Sequence, residues 1–183
     1  MSTTLRELMF DPDRRRFAAS PEADALRDDA ALDEAYLVAL DLDAVRSRVA
    51  MIFDCRGALQ IRMGNTALVV VNGVTELLWR GADPPRPRIA LTVGDWAPRL
   101  EAGTWSVRVG WFTAGTLEVT GTAAEFYVGD VPGCDEAPPD FGEATDAEVN
   151  AGLAWWDSRF DPIHASFTVP PWSARARPWL PRT

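Results

Sequence analysis

Few residues in this chain can do covalent chemistry, and their spacing argues against most of it. The one histidine, His164, stands near Asp157, Ser158, Asp161 and Ser166. These are the residue types of a relay in which an imidazole deprotonates a hydroxyl and a carboxylate orients the ring. No G-x-S-x-G elbow presents either serine, so the grouping is proximity in sequence and no more. Cys134 is followed by Asp135 and Glu136, whose charge disfavours the thiolate, the opposite of an activated nucleophile. Cys55 continues one face of an alternating run and reads as core. Two free thiols are expected, and with no CxxC or HxxxH spacing neither cysteine predicts a metal site. All 18 basic residues are arginine, as GC-rich coding sequence favours. The absence of lysine removes Schiff-base chemistry and the phosphate-binding lysine of a P-loop. The glycines are scattered, no cofactor motif is present, and no cofactor is expected.

The chemistry-bearing side chains that do concentrate are acidic. The formal net charge is −9, yet residues 109–158 hold ten carboxylates and no arginine, while the rest of the chain sums to +1. Within that window Asp130, Asp135, Glu136, Asp140 and Glu143 fall in a stretch, 129–144, too rich in Gly, Pro and Asp to be regular. The spacing does not match a calcium loop, and Pro138-Pro139 stiffens the segment. Two function classes follow. A non-enzymatic interaction module, an adaptor or a neutralising partner, offers the acidic surface to a basic protein. Alternatively, a small hydrolase or carbohydrate-binding domain pairs carboxylates in a cleft and stacks sugars on tryptophans such as Trp155, Trp172 and Trp179. The first needs only the visible acidic segment and is preferred; the second needs a cleft that periodicity does not show. An acidic balance repels phosphates, so no nucleic acid partner is expected.

The elements that must position this segment are mostly strands. Thr4 and Glu7 form a capping box ahead of Leu5, Leu8 and Met9, and Pro12 ends that turn of helix. Residues up to 35 read as a helical or loop lead-in with little apolar face beyond Leu26 and Leu32. From Tyr36 the period becomes two. Val49, Met51, Phe53 and Cys55 alternate with Ala50, Ile52 and Asp54, and a polar link before them makes a hairpin. Ala67 to Val71 is continuously apolar, the mark of a central strand buried on both faces. Trp105, Val107, Val109 and Trp111 share one face, opposite Ser106, Arg108 and Gly110. Thr145 and Glu148 make a second capping box, and Val149, Leu153 and Trp156 predict a helix of about three turns over 145–157.

The sum is a mainly β chain of 183 residues, an antiparallel sandwich or curled sheet of seven or eight strands with two or three short helices. It reads as one domain, with a β meander over 36–128. No apolar run reaches the roughly 18 residues that span a membrane, and the N-terminus lacks the apolar core of a secretory leader, so no membrane partner and a cytoplasmic location are expected.

Residues 170–183 form a Pro-Trp-Arg tail. Its prolines forbid helix interior and central strand. Arg175, Arg177 and Arg182 oppose the acidic segment in sign, and Trp172 and Trp179 are costly to leave in water. The tail is therefore expected to pack on its own domain. Deleting residues 172–183 should lower unfolding free energy by about 1–3 kcal/mol through lost aromatic burial. A truncated chain that melts like the full one would make the tail a free arm.

Overall fold

The computed structural model describes residues 3–10, 21–81, 90–112 and 114–168; the predicted docking of Trp172 and Trp179 lies outside them. The chain runs β1 (Thr3–Thr4), α1 (Leu5–Phe10), β2 (Tyr36–Asp43), β3 (Arg48–Asp54), β4 (Thr66–Asn72), β5 (Glu76–Arg80), β6 (Leu91–Glu101), β7 (Thr104–Trp111), β8 (Thr116–Gly121), β9 (Ala123–Asp130), α2 (Asp146–Ala151) and β10 (Arg159–Phe167). The strands form one antiparallel sheet in the order β1-β10-β9-β4-β3-β2-β6-β7-β8-β5, which does not close. Expected were seven or eight strands; the described residues hold ten. The surplus lies in weak patterns. β1 is two residues long, β5 has no fully buried position and no alternation, and β10 carries few large apolar side chains.

The sheet curls because two neighbouring strands bend together. β4 pairs β9 while β5 pairs β8, in a ladder that runs from Asn72 opposite Ala123 to Glu76 opposite Thr120. A Cβ on Gly121 would lie 2.6 Å from Val71 Cγ1 and 2.8 Å from the Asn72 carbonyl, so only glycine lets the backbones meet at this bend. The bend turns the β6–β8 half towards the β2–β4 half.

The first core lies between the halves. It takes Val49, Met51 and Phe53 from β3, Val69 and Val71 from β4, and Phe126 and Val128 from β9. Facing them are Trp96, Trp105, Val107, Val109, Leu117 and Val119. A second core covers the outer face of the same central strands. There Ala50, Ile52, Leu68, Val70 and Tyr127 meet Leu5, Leu8 and Met9 of the N-terminal helix, Trp156 and Phe160. Burial on both faces is why β3 and β4 are apolar without a break, whereas β7, solvated on its outer face, alternates strictly.

Residues 23–35 are turns rather than helix, and they plug the interior. Ala25, Leu26, Ala31 and Leu32 are fully buried. The indole N–H groups of Trp96 and Trp105 donate to the carbonyls of Ala25 (2.9 Å) and Leu26 (3.0 Å). Backbone bonds from Ala30 to Trp96 and from Glu34 to Val93 stitch the plug to β6 where that strand leaves β2. Among the described residues, no helix is long and apolar enough to cross a membrane.

The β6–β7 hairpin turns on Ala102 (φ 48°) and Gly103 (φ 80°). Two left-handed residues in a tight hairpin suit Asn-Gly far better than Ala-Gly. Replacing Ala102 with Asn should stabilise the protein by about 0.5–1 kcal/mol, read as a Tm rise of roughly 1–4 °C. An unchanged or lower Tm would show that this turn is not strained.

Candidate functional site

The acidic segment leaves the sheet at the end of β9 and is fastened there by side chains of the β3–β4 link. Asn65 does much of it. Its Nδ2 donates to the Val131 carbonyl (3.1 Å), its Oδ1 accepts from the Val131 N–H (2.9 Å), and its own N–H donates to Asp130 Oδ1 (3.1 Å). Pro132-Gly133 then makes a turn closed by the Cys134 N–H donating to Val131 (3.1 Å).

The second fastening is Arg56. Asp54, the last residue of β3, is 3% exposed at its side chain and Arg56 10%. Arg56 Nε lies 3.0 and 3.1 Å from the two Asp54 oxygens, and one terminal nitrogen binds the same carboxylate. That nitrogen also donates to the Gly152 carbonyl (2.7 Å), and the other terminal nitrogen donates to the Glu136 carbonyl. One guanidinium thus joins β3, the acidic loop and the end of α2. Burial works against its charge, but the bonded Asp54 carboxylate more than restores it and holds the group above its ordinary value.

Around this anchor lies an open cleft of about 580 Å³, whose lining includes Arg56, Arg62, Asp130, Asp135, Glu136 and Cys134. Three of the five carboxylates singled out in the sequence therefore meet in one place. Asp140 lies in an adjoining hollow with Tyr36 and Phe141, whose rings are 5.8 Å apart, and Glu143 lines neither. All five are exposed. Asp140 organises its own turn, accepting from the N–H groups of Gly142 (2.8 Å) and Glu143 (3.2 Å).

The helix after this loop is shorter than its sequence pattern suggests. Its capping box is present, with Thr145 and Glu148 satisfying each other's backbone N–H groups. It ends at Ala151, with Gly152 as C-cap, and buries no residue. Leu153 and Trp156 lie beyond it. Trp156 still reaches the second core, from the turn that precedes β10, and its carbonyl accepts from the Arg6 N–H (2.9 Å).

The remaining candidates for chemistry fall elsewhere or are poorly suited to it. Both cysteines are free and buried. Burial pushes the Cys55 thiol far up, with Asp54 adding to it. Burial also raises Cys134, against the opposing pull of Arg56, with Asp54 and Asp135 reinforcing the rise. Burial therefore disfavours the thiolate at both positions. His164 sits on β10 opposite Val128, and neither ring nitrogen has a hydrogen-bond partner among the described residues. Ser158 accepts from the Trp155 N–H, and Ser166 donates to Asp24. Among the described residues, no three His, Cys, Asp or Glu side chains are placed to hold a metal ion. Trp155 is 52% exposed and Trp79 44%, but Trp79 is on β5, in the other half of the sheet.

Sequence reasoning located the carboxylates and missed what holds them. The available signal was Asp54 itself, a carboxylate closing an otherwise apolar strand with both faces covered, which requires a partner. Arg56, two residues on, supplies it. No family model matches the chain, and no curated protein or solved structure matches it.

Removing Arg56 alone strands the Asp54 charge. Arg56→Met should cost about 3–5 kcal/mol in urea unfolding, and the double variant D54N/R56M should cost less than R56M, because the buried carboxylate is then neutral. Equal or greater loss in the double variant would mean that the pair is not what makes the position sensitive.

Proposed function

We propose that the chain is a protein-interaction module that presents its acidic segment, 129–144, to a basic partner. The observation that carries this reading is a contrast in how the carboxylates are used. Several acids elsewhere sit against arginines: Asp24 with Arg27, Asp43 with Arg46, Asp95 with Arg108, Asp29 with Arg99 and Glu118 with Arg80. Asp130, Asp135, Glu136, Asp140 and Glu143 make no ion pair among the described residues.

The backbone that carries Asp130, Asp135 and Glu136 is nonetheless held in place. Asn65 and Arg56 fix the backbone between Asp130 and Glu136, so little loop entropy is lost when a partner docks. Unpaired like charges at the rim of a cleft attract a basic surface over several ångströms and raise its association rate more than its final affinity. The cleft gives such a partner a place to insert an arginine or lysine between Asp130, Asp135 and Glu136.

The quadruple variant D135N/E136Q/D140N/E143Q removes charge while keeping the acceptor oxygens on which the Asp140 turn depends. Its Tm should stay within about 2 °C of the parent, since solvated carboxylates contribute little to stability. A basic protein captured by the parent from its native lysate should be lost by the variant, and calorimetric titration of that protein should show a flatter salt dependence. Undiminished binding by the variant would place the interface elsewhere.

A further inference from the structure

The open edge of β5 carries a pattern that matches itself. Among the described residues, β5 is the terminal strand of the sheet, with β8 on one side and no strand paired to its other edge. Its sequence is Glu76-Leu77-Leu78-Trp79-Arg80, with no proline and no bulge in its pairing to β8. Such an edge leaves alternate backbone N–H and C=O groups without a ladder partner, and folded proteins usually blunt it.

An antiparallel copy placed with Leu78 on a twofold axis brings Glu76 opposite Arg80 and Arg80 opposite Glu76. It also brings Leu77 opposite Trp79 on the other face. The two faces are distinct in the fold. Leu77 packs against the first core and Trp79 contacts the Trp111 ring at 5.8 Å. Arg80 reaches Glu118 at 3.6 Å on the solvated side while remaining 61% exposed at its side chain, and a guanidinium has donors to spare for a second carboxylate. Trp79, 44% exposed, is the large apolar side chain that such pairing would cover. Any shift of register by one residue sets Trp79 against a charged or polar-face neighbour and loses both ion pairs.

We infer that the chain associates with a second copy of itself through β5, forming an isologous, antiparallel strand pair across a twofold axis. The contact is small and independent of the acidic segment, which lies in the other half of the sheet, so a module paired in this way presents two acidic segments.

Sedimentation equilibrium of the full chain tests this. The parent should pass from monomer to dimer within roughly 10 μM to 1 mM, the strength expected of a small interface. E76R sets arginine against arginine, and R80E sets glutamate against glutamate. Each alone should dissociate at least tenfold more readily, with an unchanged Tm showing that it is folded. Mixed in equal amounts, the two variants should form a heterodimer, and the double variant E76R/R80E should recover self-association. A parent that stays monomeric to about 1 mM, or a dimer indifferent to both reversals, or a mixture that fails to associate, would overturn the inference.

Discussion

The placement of the acidic segment depends on one buried ion pair. Arg56 binds both oxygens of Asp54 and also donates to the carbonyls of Glu136 and Gly152. A buried pair of this kind adds little net stability over apolar packing, because both charges have been taken from water. What it provides is direction. The planar guanidinium has donors in fixed positions, so the loop and the end of α2 can attach to β3 in few ways. With that attachment made, the backbone from Val131 to Gly152 needs no strand pairing and little helix to hold its course. The carboxylates on it are left free to face solvent.

The rest of the architecture follows from covering one set of strands twice. β3, β4 and β9 lie between the two cores and supply side chains to both. The curl at Gly121 folds the β6–β8 half over one face, and α1 with the chain around Trp156 and Phe160 covers the other. The indole-bonded plug closes the place where β6 departs from β2. The acidic segment belongs to the second covering layer and is therefore mounted on the best-buried part of the sheet.

Much of this was legible in the residues. The strict alternation from Trp105 to Trp111 fixed which face of β7 is inside, and the unbroken Ala67–Val71 run marked a strand covered on both sides; in the structure Val69 and Val71 serve one core, Leu68 and Val70 the other. Both capping boxes form as their spacing implies. What was not legible depends on contacts distant in sequence. Residues 23–35 lack a period because a plug satisfies its backbone irregularly, through indoles and strand edges far along the chain. Trp156 was rightly read as buried but wrongly placed on a helix, since Gly152 ends α2 before it. β1 is a strand only because Phe160 and Arg159 lie beside it. The course of the backbone from Asp130 to Glu136 depends on Asn65 and Arg56, both outside that segment.

The division of the cores also sets an order of assembly. The first core draws on residues from Ala23 to Val128, whereas the second needs Leu5 and Ala165 together. Contacts such as Arg6 with Asp157 span 151 positions. Closing so long a loop costs entropy that only a largely formed sheet can offset. As the chain emerges from the ribosome, Leu5, Leu8 and Met9 must therefore wait beside a half-covered sheet until β10 arrives. For that interval the outer faces of β3 and β4 are wet and sticky, and the nascent protein is at its most vulnerable to association with the wrong neighbour.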